Sequence, residues 1–293
     1  MSDRQILLLC LVPALLLLAL TQFYPLAQSF YVSLHDWTLA RSPVMGEFVG
    51  AQNYSRVLHD RQFTGALWFT LGLAAGSSIL SVLLGFGLAL LTVGENWKLR
   101  LSRTLLLLPM IIAPVAVGTV WRMMLAARIG PVNEALGALG LGTPNWLGSP
   151  GLAQVTLTVI DAWQWTPFSM IVMAAALASI PPDILAAARM DGAGRGLILR
   201  RIIVPITLPI ILLVAMFRMV DALMTLDIVF TTTGGGPGFA THTLGYWIYV
   251  QGLRYFNISQ AAAASWLLLA LCMATAAAFL LWRRRIMSWQ VRQ

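Results

Sequence analysis

Charged residues interrupt runs that are otherwise apolar. Asp161 lies in one run, with Trp163 and Trp165 close behind it; Arg218, Asp221 and Asp227 lie in or beside another. Charge placed at membrane depth is costly and normally faces a partner or a wet cavity. Carboxylates beside aromatic faces suit a sugar, whose ring has an apolar face and hydroxyl edges. Trp121 and Arg122 in a third run and Trp266 in the last run extend this candidate pathway set. A plainer reading stands beside it. Arg218 and Asp221 are three residues apart and can pair along one helix, and tryptophans near span ends can be interfacial anchors.

Bond-making chemistry has little to work with. His35, His59 and His242 are scattered and show no metal-ligand spacing. No Ser-His-Asp set, no H-E-x-x-H and no catalytic pair of carboxylates stands out, so no catalytic residue and no metal site is assigned. The run Thr233-Gly234-Gly235-Gly236-Pro237-Gly238 is a sharp backbone punctuation. It is not a nucleotide loop, because no Lys-Ser or Lys-Thr follows at the spacing that phosphate binding requires. The chain is expected to bind no cofactor of its own. Cys10 and Cys272 both sit in apolar runs and read as small core residues.

The other polar investment is a basic loop, Ile180 to Pro205. It holds Arg189, Arg195, Arg200 and Arg201 with Asp183 and Asp191. Pro181 and Pro182 precede Asp183, so a helix can begin there with a carboxylate in its favoured first turn. Ala186, Ala187 and Ala188 continue it, Gly192 and Gly194 break it, and a second short helix is expected from Arg195. Such a basic helix-turn-helix reads as a docking element; the plain alternative is an ordinary basic connection.

The elements that must position these groups are membrane spans. The chain has 293 residues, of which 59% are hydrophobic and only 10% charged. That is too little charge to cover a soluble surface. The apolar runs reach the twenty or so residues that a helix needs to cross a bilayer core of roughly 30 Å. They lack the alternation of barrel strands. An all-α integral membrane domain of six transmembrane helices is therefore expected across residues 1–293, with spans at about 6–34, 64–93, 104–127, 152–179, 202–230 and 259–282. No small-residue cleavage site follows the first run, so it reads as a retained span. With the N-terminus inside, twelve cations fall inside (Arg4, Lys98, Arg100, Arg103, the four loop arginines, Arg283, Arg284, Arg285 and Arg292) and five outside (Arg41, Arg56, Arg61, Arg128 and Arg254). That bias puts both termini and the basic loop in the cytoplasm. The net charge of +8 then records topology and is no sign of nucleic acid. On this reading Asp161 and Asp221 each lie about nine residues from the outer end of a span, roughly 13 Å deep.

The run A-A-R-M-D-G-A-G at 187–194, closed by I-I-V-P at 202–205, resembles the EAA loop of type I ABC importer permeases. Phe48 to Tyr54 (F-V-G-A-Q-N-Y) is similar to a segment after the first span in the carbohydrate-uptake branch of that family. Phe217 to Gly236, followed by Thr241-His242-Thr243-Leu244 and Tyr249, resembles its fifth span and exit. One position departs: the family usually has Glu where Ala186 stands, and Asp183, on the same helix face, can partly substitute. The resemblance implies coupling residues Asp183, Ala187, Ala188, Arg189, Asp191, Gly192, Ala193 and Arg195. It also implies a second homologous permease, two copies of a cytoplasmic ATPase that holds ATP and Mg, an extracytoplasmic solute-binding protein, a sugar or polyol as solute, and the bacterial inner membrane as location. The alternative is an autonomous secondary transporter or channel that uses Asp161, Asp221 and Asp227; it would need neither ATP nor partners.

Overall fold

The computed structural model describes residues 3–94 and 96–290, with side-chain surroundings defined for 11–94 and 96–285. Arg292 and the side chains of Arg4 and Cys10 lie outside that range. Among the described residues there are helices and no strands, apart from two isolated bridges, His35 with Phe48 and Thr38 with Asn257.

In chain order the helices are α1 (Leu11–Ser33), α2 (Gln52–His59), α3 (Arg61–Thr92), α4 (Trp97–Ile111), α5 (Pro114–Met124), α6 (Pro131–Ala138), α7 (Pro150–Ala178), α8 (Pro182–Met190), α9 (Arg195–Leu223), α10 (Asp227–Thr232), α11 (Leu244–Tyr249) and α12 (Ile258–Gln290). Four of them are long and apolar enough to cross a bilayer alone: α1, α3, α9 and the Ile258–Arg285 part of α12. The bent pairs α4–α5 (93°) and α7–α8 (71°) raise the number to as many as six.

Helices fit here because a bilayer leaves no water to satisfy the backbone. Hydroxyls inside the spans are also satisfied locally. Thr70 donates to Ala66 O at 2.7 Å, Thr92 to Leu88 O at 2.7 Å and Thr166 to Ala162 O at 2.6 Å. Proline is absorbed by geometry. Pro25 has no N–H for the carbonyl four residues back, and the helix widens over Ala19–Phe23 just before it; Leu199–Ile203 widens in the same way ahead of Pro205.

Two expected spans change shape. The third, expected as one run over 104–127, is broken: Ile112 and Ala113 are extended, as the residue before a proline prefers, and Pro114 starts a new helix. The fifth, expected over 202–230, begins at Arg195 and stops at Leu223. The second short helix of the basic loop is thus the first turn of this span. At its far end Thr243 Oγ1 donates to Thr225 O at 2.8 Å, and Gly245 sits so close that a Cβ would lie 3.2 Å from the same carbonyl. With that carbonyl taken, the chain turns and restarts as α10. This helix packs along α5, where Gly118 gives way to Thr231 and Ile228.

The chain forms two compact units. The first comprises Met1–Thr64 and Trp247–Leu269. In it buried Asn53 donates to Ser33 O and His35 O, both at 2.8 Å, while Tyr54 shares a hydrogen bond of 2.7 Å with Ser33 Oγ. Gly50 supplies a φ of +58° just before α2. These contacts explain the F-V-G-A-Q-N-Y segment as a fastener of the α1 end. Trp37 N donates to Ser259 Oγ at 2.8 Å in the same unit.

The second unit comprises Gly65–Tyr246 and Ala270–Gln293. Its core joins Val82 and Ala89 of α3, Met170, Met173 and Leu177 of α7, and Val214 of α9. Gly85 permits the α3–α7 approach: a Cβ there would lie 2.5 Å from Ser169 Cβ. The glycine run turns at Gly234 (φ +58°) and Gly235 (φ +83°), and Thr233 and Thr241 share a hydrogen bond of 2.8 Å beneath it. His242 is buried against Phe239 and Tyr246, and that burial holds its pKa below the ordinary histidine value.

Asn53→Ala removes both amide donors and strands two buried carbonyls. The expected loss is about 2 kcal/mol, read as a lower thermal midpoint in detergent. Asn53→Asp should not rescue it, because a carboxylate cannot donate; wild-type stability in Asn53→Ala would dismiss the fastener.

Candidate functional site

The intramembrane charges meet at one point. Arg218, on α9, is 1% exposed at its side chain. Its Nη2 donates to Asp161 Oδ2 of α7 at 2.6 Å, its Nη1 to Asp221 Oδ2 at 2.5 Å, and its Nε to Ser81 Oγ of α3 at 3.3 Å. The Trp165 ring covers the guanidinium, with 5.2 Å from Cζ to the ring centroid. Three helices therefore converge on one cation. Each partner is placed by helix periodicity. Asp161 and Trp165 are four apart on α7, and Arg218 and Asp221 three apart on α9, so each pair shares a face. The plain reading of an Arg218–Asp221 pair is correct but incomplete, because the buried carboxylate of Asp161 takes the other arm.

Burial of the guanidinium is tolerable only because its arms are met by ions and a hydroxyl. The two acids differ in their surroundings. The Asp161 side chain is 2% exposed and that of Asp221 is 49% exposed. Both line a cavity of about 290 Å³ together with Trp165, Thr225, Asp227 and Pro114. The cavity opens where α9 ends and α10 begins, so the break at Met224–Leu226 builds its wall. Asp221 sits in the last turn of α9, not deep within a longer span, and it shares a site with Asp161 through Arg218.

The remaining pathway candidates fall elsewhere. Trp163 is two residues from Asp161, hence on the far side of α7, and it packs edge-on against Trp121 with 5.4 Å between centroids. Arg122 is exposed on α5. Trp266 belongs to the first unit, where its ring meets Phe30 at 5.1 Å. Ser81 and Thr225 were not foreseen. The cluster Ser77-Ser78-x-x-Ser81 in an otherwise apolar run was the available signal for the first; the second emerges only from the break in α9.

The basic loop forms a second candidate site. Pro182 opens α8, with Asp183 in its first turn. Gly192 closes it at φ +77°, Gly192 N bonding Arg189 O at 3.0 Å and Ala193 N bonding Ala188 O at 2.9 Å. This is a left-handed glycine cap. The inner side is anchored: Ile180 is buried in the core, and Leu185 and Ile203 pack against it. The outer side is bare. Asp183, Ala186, Ala187, Arg189, Asp191 and Arg195 are exposed, Ala188 and Ala193 are half-buried, and Met190 is 89% exposed. Among the described residues Asp183, Arg189, Asp191 and Arg195 form no ion pair. No group of His, Cys, Asp or Glu among them is arranged to hold a metal.

Residues 81–292 match a family described as binding-protein-dependent transport system inner membrane component. Among curated proteins the chain is 35% identical over 271 residues to a probable ABC transporter permease protein, y4oQ, of Sinorhizobium fredii, covering 92% of this chain and 87% of that one. It is 31% identical to the sulfoquinovosyl glycerol transport system permease protein SmoG of Agrobacterium fabrum, with 96% and 91% covered. It is 32% identical to the trehalose/maltose transport system permease protein MalF of Thermococcus litoralis, with 85% and 83% covered. Among solved structures, a chain of a bacterial alginate ABC transporter in complex with an alginate pentasaccharide-bound periplasmic protein superposes with a TM-score of 0.84 at 22% identity, covering 97% of this chain and 96% of that one. This last likeness speaks for the fold alone.

Arg218→Met leaves Asp161 buried without its counter-ion. The expected cost is about 3–5 kcal/mol, seen as a collapse of yield and of thermal midpoint in detergent. The double variant Asp161→Leu with Arg218→Met removes both charges and should recover most of that loss. Equal instability of single and double variants would show that the pair matters through its shape alone.

Proposed function

This chain belongs to the binding-protein-dependent transport system inner membrane components, as a permease subunit of an ABC importer and not itself an enzyme, and from that premise we propose how it transports. It is a multi-pass protein of the inner membrane. It forms half of a translocation pathway for a sugar or related polyol; a second, homologous permease forms the other half. Two copies of a cytoplasmic ATPase, holding ATP and Mg, bind below, and an extracytoplasmic solute-binding protein delivers the solute from outside. Both termini and α8 face the cytoplasm.

The observation that carries this reading is the bare outer side of α8. A short helix, anchored on one side and carrying an 89% exposed methionine on the other, is suited to enter a cleft on a partner. Its small residues, Ala187 and Ala188, permit close seating, and Asp183 and Arg189 offer charges at its two ends. Sugar or polyol as the solute class draws on relatives that transport sulfoquinovosyl glycerol and trehalose or maltose, and on the tryptophan and carboxylates around the cavity. Alternating access follows. ATP-driven closure of the ATPases displaces α8, α8 carries the ends of α7 and α9 with it, and the cavity changes its exposure. The autonomous-transporter alternative is set aside by the family match. Its ion site is also poorly provided, since Arg218 already engages Asp161 and Asp221.

Gly192→Trp places a large L-residue at a φ of +77° and disrupts the cap of α8. Tagged protein purified in mild detergent beside its wild type should keep the second permease and lose the ATPase by about tenfold or more, a shift of ~1.4 kcal/mol or greater. Undiminished recovery of the ATPase would make the loop an ordinary connection.

A further inference from the structure

We propose that the cavity between α5, α7, α9 and α10 is a charge filter, in which Asp221 and Asp227 favour neutral polyhydroxyl solutes and turn anionic ones away. The proposal rests on the importer reading above and narrows its solute class.

The cation in the wall is out of reach. Arg218 is 1% exposed, each of its terminal nitrogens is engaged by a carboxylate, its Nε by Ser81, and a face by Trp165. A phosphate or sulfonate entering the cavity cannot take those donors without displacing Asp161 or Asp221. The groups that face the space are acidic instead. Asp161, Asp221 and Asp227 all line it, against a single lining-adjacent guanidinium. Three carboxyl side chains against one guanidinium make the lining predominantly acidic. Asp161 is spent on Arg218 through Oδ2 only, among the hydrogen bonds of the described residues, although it is buried. An acceptor edge and an aromatic face therefore border the same space, with Thr225 beside them. Carboxylates accept from hydroxyls, and an apolar ring face rests on tryptophan; a neutral sugar or polyol offers both. An anion meets acceptors only, and repulsion by the carboxylates lowers its affinity by about tenfold or more.

The test uses the complex of this chain with its co-purifying permease and ATPase in detergent, without the solute-binding protein, so that only the membrane site selects. Saturation-transfer NMR is recorded with matched probes: glycerol, glucose and trehalose against glycerol 3-phosphate, glucose 6-phosphate and trehalose 6-phosphate. At least one neutral probe should give signal, with its phosphate ester weaker by about tenfold or more. Asp221→Ala should weaken the neutral signal by about tenfold. Asp227→Asn, which leaves the Arg218 contacts whole, should narrow the gap between the members of the pair. Equal binding of the esters in wild type, no neutral binding at all, or failure of either variant to act as stated overturns the filter. The importer reading fails separately, by absence of the ATPase from the purified complex.

Discussion

A guanidinium buried among apolar helices must be neutralised where it stands, and this necessity organises the second unit. Arg218 draws α7 to α9 through Asp161 and reaches α3 through Ser81. Trp165 closes over it. The apolar contacts of Val82, Met170, Met173 and Val214 hold the same three helices together, but dispersion and apolar burial are tolerant of small slips. An ion pair with hydrogen-bond geometry is not. The cation therefore specifies register among helices that packing alone would hold less exactingly, and the cavity inherits its shape from that register.

The second constraint is the backbone. Inside a bilayer each freed carbonyl needs a new partner or a local change of helix geometry. Two widened turns precede Pro25 and Pro205, and a third covers Val250–Arg254. The break after Leu223 is met by Thr243 Oγ1, with Gly245 allowing the approach. The break after Leu223 borders the cavity, whose wall is made from the ends of helices more than from their middles.

Much of this was legible in the sequence, for stated reasons. Long apolar runs imply helices, and charges within them imply a meeting. The i, i+4 spacing of Asp161 and Trp165 and the i, i+3 spacing of Arg218 and Asp221 already put each pair on one face. The same periodicity separates Trp163 from Asp161, a distinction lost when residues are grouped by depth alone. Gly192 announces the end of α8 through its type. The end of α9 has no such marker: Met224-Thr225-Leu226 contains neither proline nor glycine, and the carbonyl of Thr225 finds its partner in Thr243, from a later segment. The partnership of Ser81 with Arg218 spans 137 residues, and nothing local to either residue announces it.

The α8 helix connects the same two helices that Asp161 and Arg218 tie together. Two rods joined at one end by α8, and again about 25 Å away along α7 by an ion pair, make a closed frame. A frame pinned at two places resists sliding of one rod past the other, while it remains free to tilt as a whole. Any displacement of α8 would then reach the cavity wall as rotation of α7 and α9 together, with a stiffness set by a hydrogen-bonded ion pair at the far end of the frame.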